Sequence, residues 1–465
     1  MSTSSHGLRR ELKLIDLVTM QVVLVFGMSW AGFAAKQGPS QLVLWLMAIA
    51  LFYLPLAGVV MNLSRTLPFE GGVYQWARAG LSPFAGFLSA WCVAVYCVVV
   101  FGAIGSGLAN GFAWALGPTW GWIGTDRWVA FGLTLAFCVV SWWINVRGLS
   151  ILKWLGDSSA ILWGLLALIM LGLLVKAVTT GHWATPGAFS WTWPALSVAT
   201  VGVFAKMALG ALSGLDNCAV FSEECRRPEN DVGRSVTIAA PAIALAYVLS
   251  TAALLAFTPP EQIDLAAPIQ QGVRAGLGAG PVGQAITFGI VVVYAYANVA
   301  SGVIMVGMAG RLPMVAGWDG LLPSWWSDLH PKWRTPSKAL AAVSGAMAAM
   351  SLVSLVGAGN DEAVQTLSAV GTAALAVMYL LLFSVMLFGS RRLPKQPGPW
   401  LRFGAGTGFV VALVSLLFQL VPVGEVADRG RYSLKVGALF AVAFLAGSAV
   451  YWRGSRRLSR VTPPG

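Results

Sequence analysis

Long apolar runs follow one another along the 465 residues, each separated from the next by a short polar stretch. A bilayer core about 30 Å thick needs about 20 mostly apolar residues per helical crossing. Twelve runs approach or exceed that length, at 14–36, 41–63, 82–116, 128–146, 150–177, 195–222, 235–257, 282–309, 338–357, 363–388, 402–423 and 433–453. Lipid offers no hydrogen bonds to the backbone, so each crossing must satisfy its own amides as a helix. The expectation is an all-α polytopic membrane protein with twelve transmembrane helices. The run at 82–116 is longer than a bilayer needs and is expected to tilt. Charged residues make up only 10% of the chain, against about a quarter in soluble domains.

The distribution of positive charge orients the helices. With twelve spans and a cytoplasmic N-terminus, 22 of the 30 Lys and Arg fall in inside segments and 7 in outside ones. Lys206 alone lies within a span. Such an asymmetry follows the rule that basic residues stay on the cytoplasmic side. The expected location is the plasma (inner) membrane, with both termini cytoplasmic. The net charge of +12 then faces anionic lipid, and no nucleic-acid partner is implied. The stretch 64–81 is too polar to face lipid and reads as an interfacial or re-entrant turn. The first apolar run is too long for a cleavable leader. The five cysteines read as small hydrophobes of a core, not as a disulfide framework or a link to a partner subunit. His6, His182 and His330 all lie outside the spans, which speaks against a buried metal centre. No metal or cofactor is expected.

Two spans carry interruptions. The first reads VLVFGMSWAGFAA, with Gly27, Ser29 and Gly32 at its middle, and the sixth reads KMALGALSGLDN, with Gly210, Ser213 and Gly214. Glycine lowers the barrier to leaving helical geometry. Carriers expose backbone groups at such breaks, placed alike in two repeats. Breaks in spans one and six would set a repeat of five. Close helix packing explains mid-span glycine equally well. Single residues carry paired readings. Lys206 is a substrate-carboxylate contact or gate, or it snorkels outward. Asp216 gates, or caps the helix that follows. Asp157 is expected to pair with Lys153 one turn back. Tyr294, Tyr296 and Asn298 line a pathway or brace the bundle. Ser301 is a weak candidate for a cation site, and Tyr96 is a candidate wall residue.

Three motifs in order resemble the amino acid–polyamine–organocation superfamily of secondary transporters. They are LPFEGGVYQWARAGLSPFAGFLSAW (67–91), ALSGLDN (211–217) with EECRRPENDVGRSV (223–236), and AGRLPMVAGWDGLLPSWWSDLHPKWRTPSKAL (309–340). The resemblance covers nearly the whole chain. It implies a five-plus-five inverted repeat, 14–177 and 195–388, with two additional helices over 402–453. It places substrate between broken helices one and six. Position by position, the first break falls on Gly27, Met28, Ser29 and Trp30, and the second on Ala211, Leu212, Ser213 and Gly214. Lys206, Asp216, Tyr96, Tyr294 and Asn298 are the gating or coupling candidates. The sequence departs from the family pattern in four places. Gly27-Met28-Ser29-Trp30 is bulkier than usual, and Gly210 stands where many members place an aromatic lid. Trp163 stands where some proton-coupled members have lysine, and Gly233 replaces a second loop proline.

The expected function is secondary active transport of amino acids, by proton-coupled symport or by exchange. A polyamine or amine carrier of the same fold is the alternative. From other classes, a channel would want a repeated filter sequence, and a membrane enzyme would want clustered acids, His or Cys within spans. Neither pattern is present. The expected partners are an amino acid or related amine, the lipid bilayer and, as coupling ion, protons.

Overall fold

Each apolar run forms a helix in the computed structural model, which describes residues 8, 10–27, 29–265, 267–278, 280–354, 360–421 and 428–461. Among these residues, ten helices are long and apolar enough to cross a membrane. They are Gly38–Thr66, Pro83–Trp114, Arg127–Arg147, Leu149–Thr180, Val198–Glu224, Pro228–Phe257, Pro281–Trp318, Gln365–Leu387, Pro399–Phe418 and Arg429–Ser459. A bent pair, Leu14–Val25 and Ser29–Ala35, makes an eleventh, and the shorter helix Ser337–Ser354 takes the ninth place along the chain. They are called spans one to twelve below, in chain order. Residues 38–66 contain a π-helical segment, Ile49–Tyr53, just before Pro55. Proline has no N–H to give, and a π bulge is one way a helix absorbs that loss.

The third span is 32 residues long, with a turn inside it. Helices Pro83–Phe101 and Ile104–Leu116 are separated by a turn at Gly102 and Ala103. Just past the turn the chain comes close to span four. A Cβ at Gly105 would lie 1.9 Å from the Ala130 carbonyl oxygen, and the Gly105 N–H donates to Thr134 Oγ1 at 3.1 Å. The polar stretch after span two is a turn followed by helix Val73–Gly80. That helix buries Val73, Tyr74, Trp76 and Ala77 against the bundle, so its apolar side faces protein.

Span eight is 38 residues, about 57 Å at 1.5 Å per residue, and so extends beyond a bilayer core of about 30 Å. Its far end therefore reaches the face of the bundle where the N-terminal segment and the end of span twelve also lie. There Leu12 pairs with Cys225, and Leu458 packs against Gly320. This is the terminal face. The Asp157–Lys153 pair expected within span five does not form. Lys153 Nζ reaches Asp16 of span one at 2.9 Å, and Asp157 instead accepts the Thr19 hydroxyl at 2.7 Å. A cross-helix carboxylate, itself buried, holds the ammonium in preference to a neighbour on the same helix. All five cysteines are buried free thiols.

Candidate functional site

The site begins where two helices stop. Span one leaves helical geometry at Phe26, whose φ and ψ are −81° and 101°, and resumes at Ser29. Met28 lies outside the described residues. Span six stops at Leu212. Ser213 is extended, and Gly214 adopts φ +108°, a region that disfavours any Cβ. The chain then continues as a 3₁₀ helix, Asn217–Glu224.

A broken helix leaves backbone amides and carbonyls without partners, and in an apolar bundle each must find one. Two tyrosines supply them. Tyr247 of span seven accepts from the Gly27 N–H at 2.8 Å. Its hydroxyl proton faces the Val25 carbonyl at 2.8 Å and the Ala211 carbonyl at 3.1 Å. One phenol thus joins both breaks. Its ring is held by stacking on Trp45 at 4.7 Å and by an edge contact with Phe26 at 5.0 Å. Tyr379 of span ten serves the second break alone. It accepts from the Gly214 N–H and donates to Asp216 Oδ1, both at 2.7 Å. Asp216 makes no side-chain cap on the helix that follows it. The tyrosine hydroxyl holds that carboxylate instead.

Replacing Tyr247 by phenylalanine keeps the ring contacts and removes the hydroxyl. Three backbone groups then lose their partner, and an unmet buried polar group costs about 1–3 kcal/mol. The purified variant is expected to melt at a lower temperature than the parent. An equal Tm would show that these groups find other partners.

Trp30 and Gly210, two departures from the family pattern, explain each other. A Cβ at Gly210 would lie 2.2 Å from Trp30 Cζ2 and 2.3 Å from Cη2. The indole of the first break fills the place next to span six that a side chain at 210 would occupy.

Beside the second break lies a cavity of about 50 Å³, to which span one contributes Leu24, just before its own break. Leu24, Val93, Phe101, Met305 and Leu375 form its apolar walls, and Tyr96, Ser213, Asn217, Ser301 and Tyr379 its polar ones. Gly210 and Gly214 complete the lining. No acidic or basic side chain is among these described lining residues. The volume holds a few waters and is far below the roughly 300 Å³ of a ligand pocket, so this is a closed arrangement.

Of the positions singled out in the sequence, Tyr96, Ser301, Ser213 and Gly214 line the cavity. Gly27 and Ala211 join at Tyr247, and Leu212 is buried behind them. Lys206 does not line it. Its ammonium meets the Val421 carbonyl just past the end of span eleven, at 2.5 Å, where a cation suits the helix dipole. Tyr294 packs edge-on against Trp163, and Asn298 bonds back to the Tyr294 carbonyl at 2.8 Å. Tyr296 bonds Ser158 of span five at 2.7 Å. Tyr294 and Tyr296 thus contact span five, whereas the Asn298 bond stays within span eight. Tyr247 and Tyr379 went unnoticed in the sequence. The signal available was a tyrosine deep in an apolar run, whose hydroxyl needs a partner when buried.

At the terminal face the three sequence motifs converge. From the first motif, Tyr74 Oη donates to Asp319 Oδ2 at 2.5 Å, and Arg78 pairs with Asp319 Oδ1 at 2.7 Å. Asp319 belongs to the third. Burial and the neighbouring Asp319 push the Tyr74 phenol above its ordinary pKa. Glu70 Oε2 of the first motif accepts the Glu223 N–H of the second at 2.7 Å. Glu224 is clasped by Arg311, Nε to Oε2 at 2.6 Å and Nη2 to Oε1 at 2.9 Å. Arg311 Nη1 also donates to the Gly307 carbonyl, and its guanidinium stacks on Phe221. Outside this core, the Glu224 carbonyl accepts the N–H groups of Glu11 and Leu12.

A family model described as amino acid permease matches residues 13–445. Among similar proteins, an uncharacterized transporter of Legionella pneumophila is 21% identical over 457 residues, covering 94% of this chain and 96% of that protein. A low-affinity putrescine importer of Escherichia coli K12 is 25% identical over 76% of each chain. A methylthioribose transporter of Bacillus subtilis is 23% identical over 85% of this chain and 86% of its own.

Proposed function

The chain belongs to the amino acid permease family, and from that premise we propose that it carries neutral amino acids through the gap between broken helices one and six. The uncharged lining of the cavity supports this reading most directly. A diamine or a cationic side chain would want a carboxylate facing it. The nearest acid, Asp216, does not line the cavity and accepts the Tyr379 hydroxyl at Oδ1. Leu24, Val93, Phe101, Met305 and Leu375 suit an apolar side chain. The substrate carboxylate would compete with tyrosine for the N–H groups at the breaks, and its ammonium would take carbonyls such as that of Ala211.

We read residues 14–177 and 195–388 as two inverted repeats, with 402–453 as added helices that stiffen the bundle. The bond from Lys206 of span six to the end of span eleven is one such tie. We place the terminal face in the cytoplasm of a cell whose inner membrane holds the protein, on the strength of the basic-residue asymmetry. In this reading the closed cavity opens alternately to either side, by exchange or with protons.

Proteoliposomes preloaded with unlabelled candidates test the substrate. Counterflow of a labelled branched or sulfur-containing neutral amino acid is expected to exceed that of putrescine, lysine and glutamate at least tenfold. Equal or faster putrescine counterflow would overturn the neutral-substrate reading. Absence of any amino acid counterflow would overturn the amino acid reading altogether. Pairing each assay with pH and sodium gradients identifies the coupling ion.

A further inference from the structure

Three pieces of chain meet at the buried cluster on the cytoplasmic side: the turn after span two, the second half of span six and the far end of span eight. Two carboxylates, Glu70 and Glu224, share this space with one guanidinium, Arg311, and all three residues are at most 2% exposed. Arg311 directs three N–H groups to Glu224 and the Gly307 carbonyl and makes no hydrogen bond to Glu70. Glu70 is left with one hydrogen bond, from the Glu223 N–H to Oε2, and its Oε1 is buried without a partner. With both acids ionised the cluster would hold an excess negative charge away from water, which is a costly arrangement.

We propose that Glu70 is a proton-binding site that holds the cytoplasmic gate shut, taking up one proton as the gate closes and releasing it to cytoplasmic water as the gate opens. The proposal rests on the alternating-access reading above. In the closed form the proton fills the demand left by the single arginine. In the open form the turn carrying Glu70 parts from Glu223 and Glu224, water reaches the carboxyl, and the proton leaves.

The groups facing Glu70 agree with this. On span six they are Glu223 and Glu224, followed by Cys225, and on span eight Arg311. Burial, and next the Glu224 charge, push the Glu70 carboxyl well above the ordinary carboxylate range, with Arg311 opposing. Burial likewise pushes up the Cys225 thiol, so it stays neutral and adds no charge. Asp231, next to Cys225, and Glu11, at the mouth, add negative charge, while Arg147 and Arg334, which line the same crevice as Glu11, are exposed and keep their charge in water.

The sign follows from linkage. A carboxyl whose pKa is raised in the closed state stabilises that state when protonated. The advantage fades as pH rises through the closed-state pKa, by up to tenfold in the open-to-closed ratio per pH unit for one proton. Below the open-state pKa both forms are protonated and the ratio levels off.

The test uses the full-length protein in nanodiscs, without substrate, and follows amide hydrogen exchange over residues 67–80 after correction for the intrinsic pH dependence. Protection of the parent is expected to fall by several-fold from pH 6 to pH 8. Glu70→Gln, which mimics the protonated acid, is expected to stay protected across the range. Glu70→Asp, which still titrates, should keep a pH response. Protection that varies alike in the parent and in Glu70→Gln would overturn the proposal, as would protection constant with pH in the parent. Because no substrate is present, these outcomes are independent of what the protein carries, and the counterflow panel judges that question separately.

Discussion

Gly214→Leu is expected to abolish transport, to below about a hundredth of the parental rate, while the protein still inserts in the membrane. Gly214 adopts φ +108°, where an L side chain costs about 1–3 kcal/mol. A Cβ there would also lie 3.0 Å from Asn217 Nδ2 and 3.3 Å from Val25 Cγ2. Leucine favours continuing the helix that now ends at Leu212. A continued helix would turn the 214 N–H back into the helix and away from Tyr379. It would also shift the carbonyls of the break, Ala211 among them, out of reach of Tyr247 and of a substrate. Insertion should survive, because leucine makes the span more apolar. Gly214→Ala separates the two effects. It carries the backbone strain with a smaller side chain, and partial transport is expected. The measurement is uptake in proteoliposomes, normalised to inserted protein. Parental rates in Gly214→Leu would mean that span six needs no break.

Much of the architecture is legible in the sequence because the bilayer imposes a one-dimensional rule. A span needs its run of apolar residues, and nothing tertiary overrides that demand. The interruptions are legible for a related reason, since Gly27, Ser213 and Gly214 are the residue types that permit one. What lay beyond reach was partner choice across helices. Tyr247 and Gly27 are 220 positions apart, and no local pattern pairs them. Lys153 shows the same limit from the other side: spacing within one helix pointed to Asp157, and packing gave it Asp16. The turn inside span three was equally out of reach, because the approach of Gly105 to span four leaves no periodic trace. Trp30 and Gly210 are more instructive still. Each looks like an anomaly in sequence, and only the structure shows the Trp30 ring filling the space beside Gly210.

Arg311→Met is expected to produce the largest loss of stability of any single change at the terminal-face cluster. The guanidinium makes two hydrogen bonds to Glu224, one to the Gly307 carbonyl and a stacking contact with Phe221. Methionine preserves much of the apolar volume and removes every one of the polar contacts. Glu224 is then a buried carboxylate beside Glu70, with no cation between them, and removing one partner of a buried pair costs about 3–5 kcal/mol. The loss comes from the acid left behind more than from the missing arginine. The double variant Arg311→Met with Glu224→Gln is therefore expected to recover most of it, since a neutral amide carries no unpaired charge. Thermal unfolding of the purified proteins measures this, with the single variant lowest, the double variant intermediate and the parent highest. A double variant no more stable than the single would mean that the arginine acts through packing on Phe221. A second readout follows from the shared acid. With Arg311 gone, the single variant should gain stability as pH falls, because a proton on Glu224 or Glu70 then relieves the repulsion. The parent, whose Glu224 is already neutralised by Arg311, should gain less over the same range.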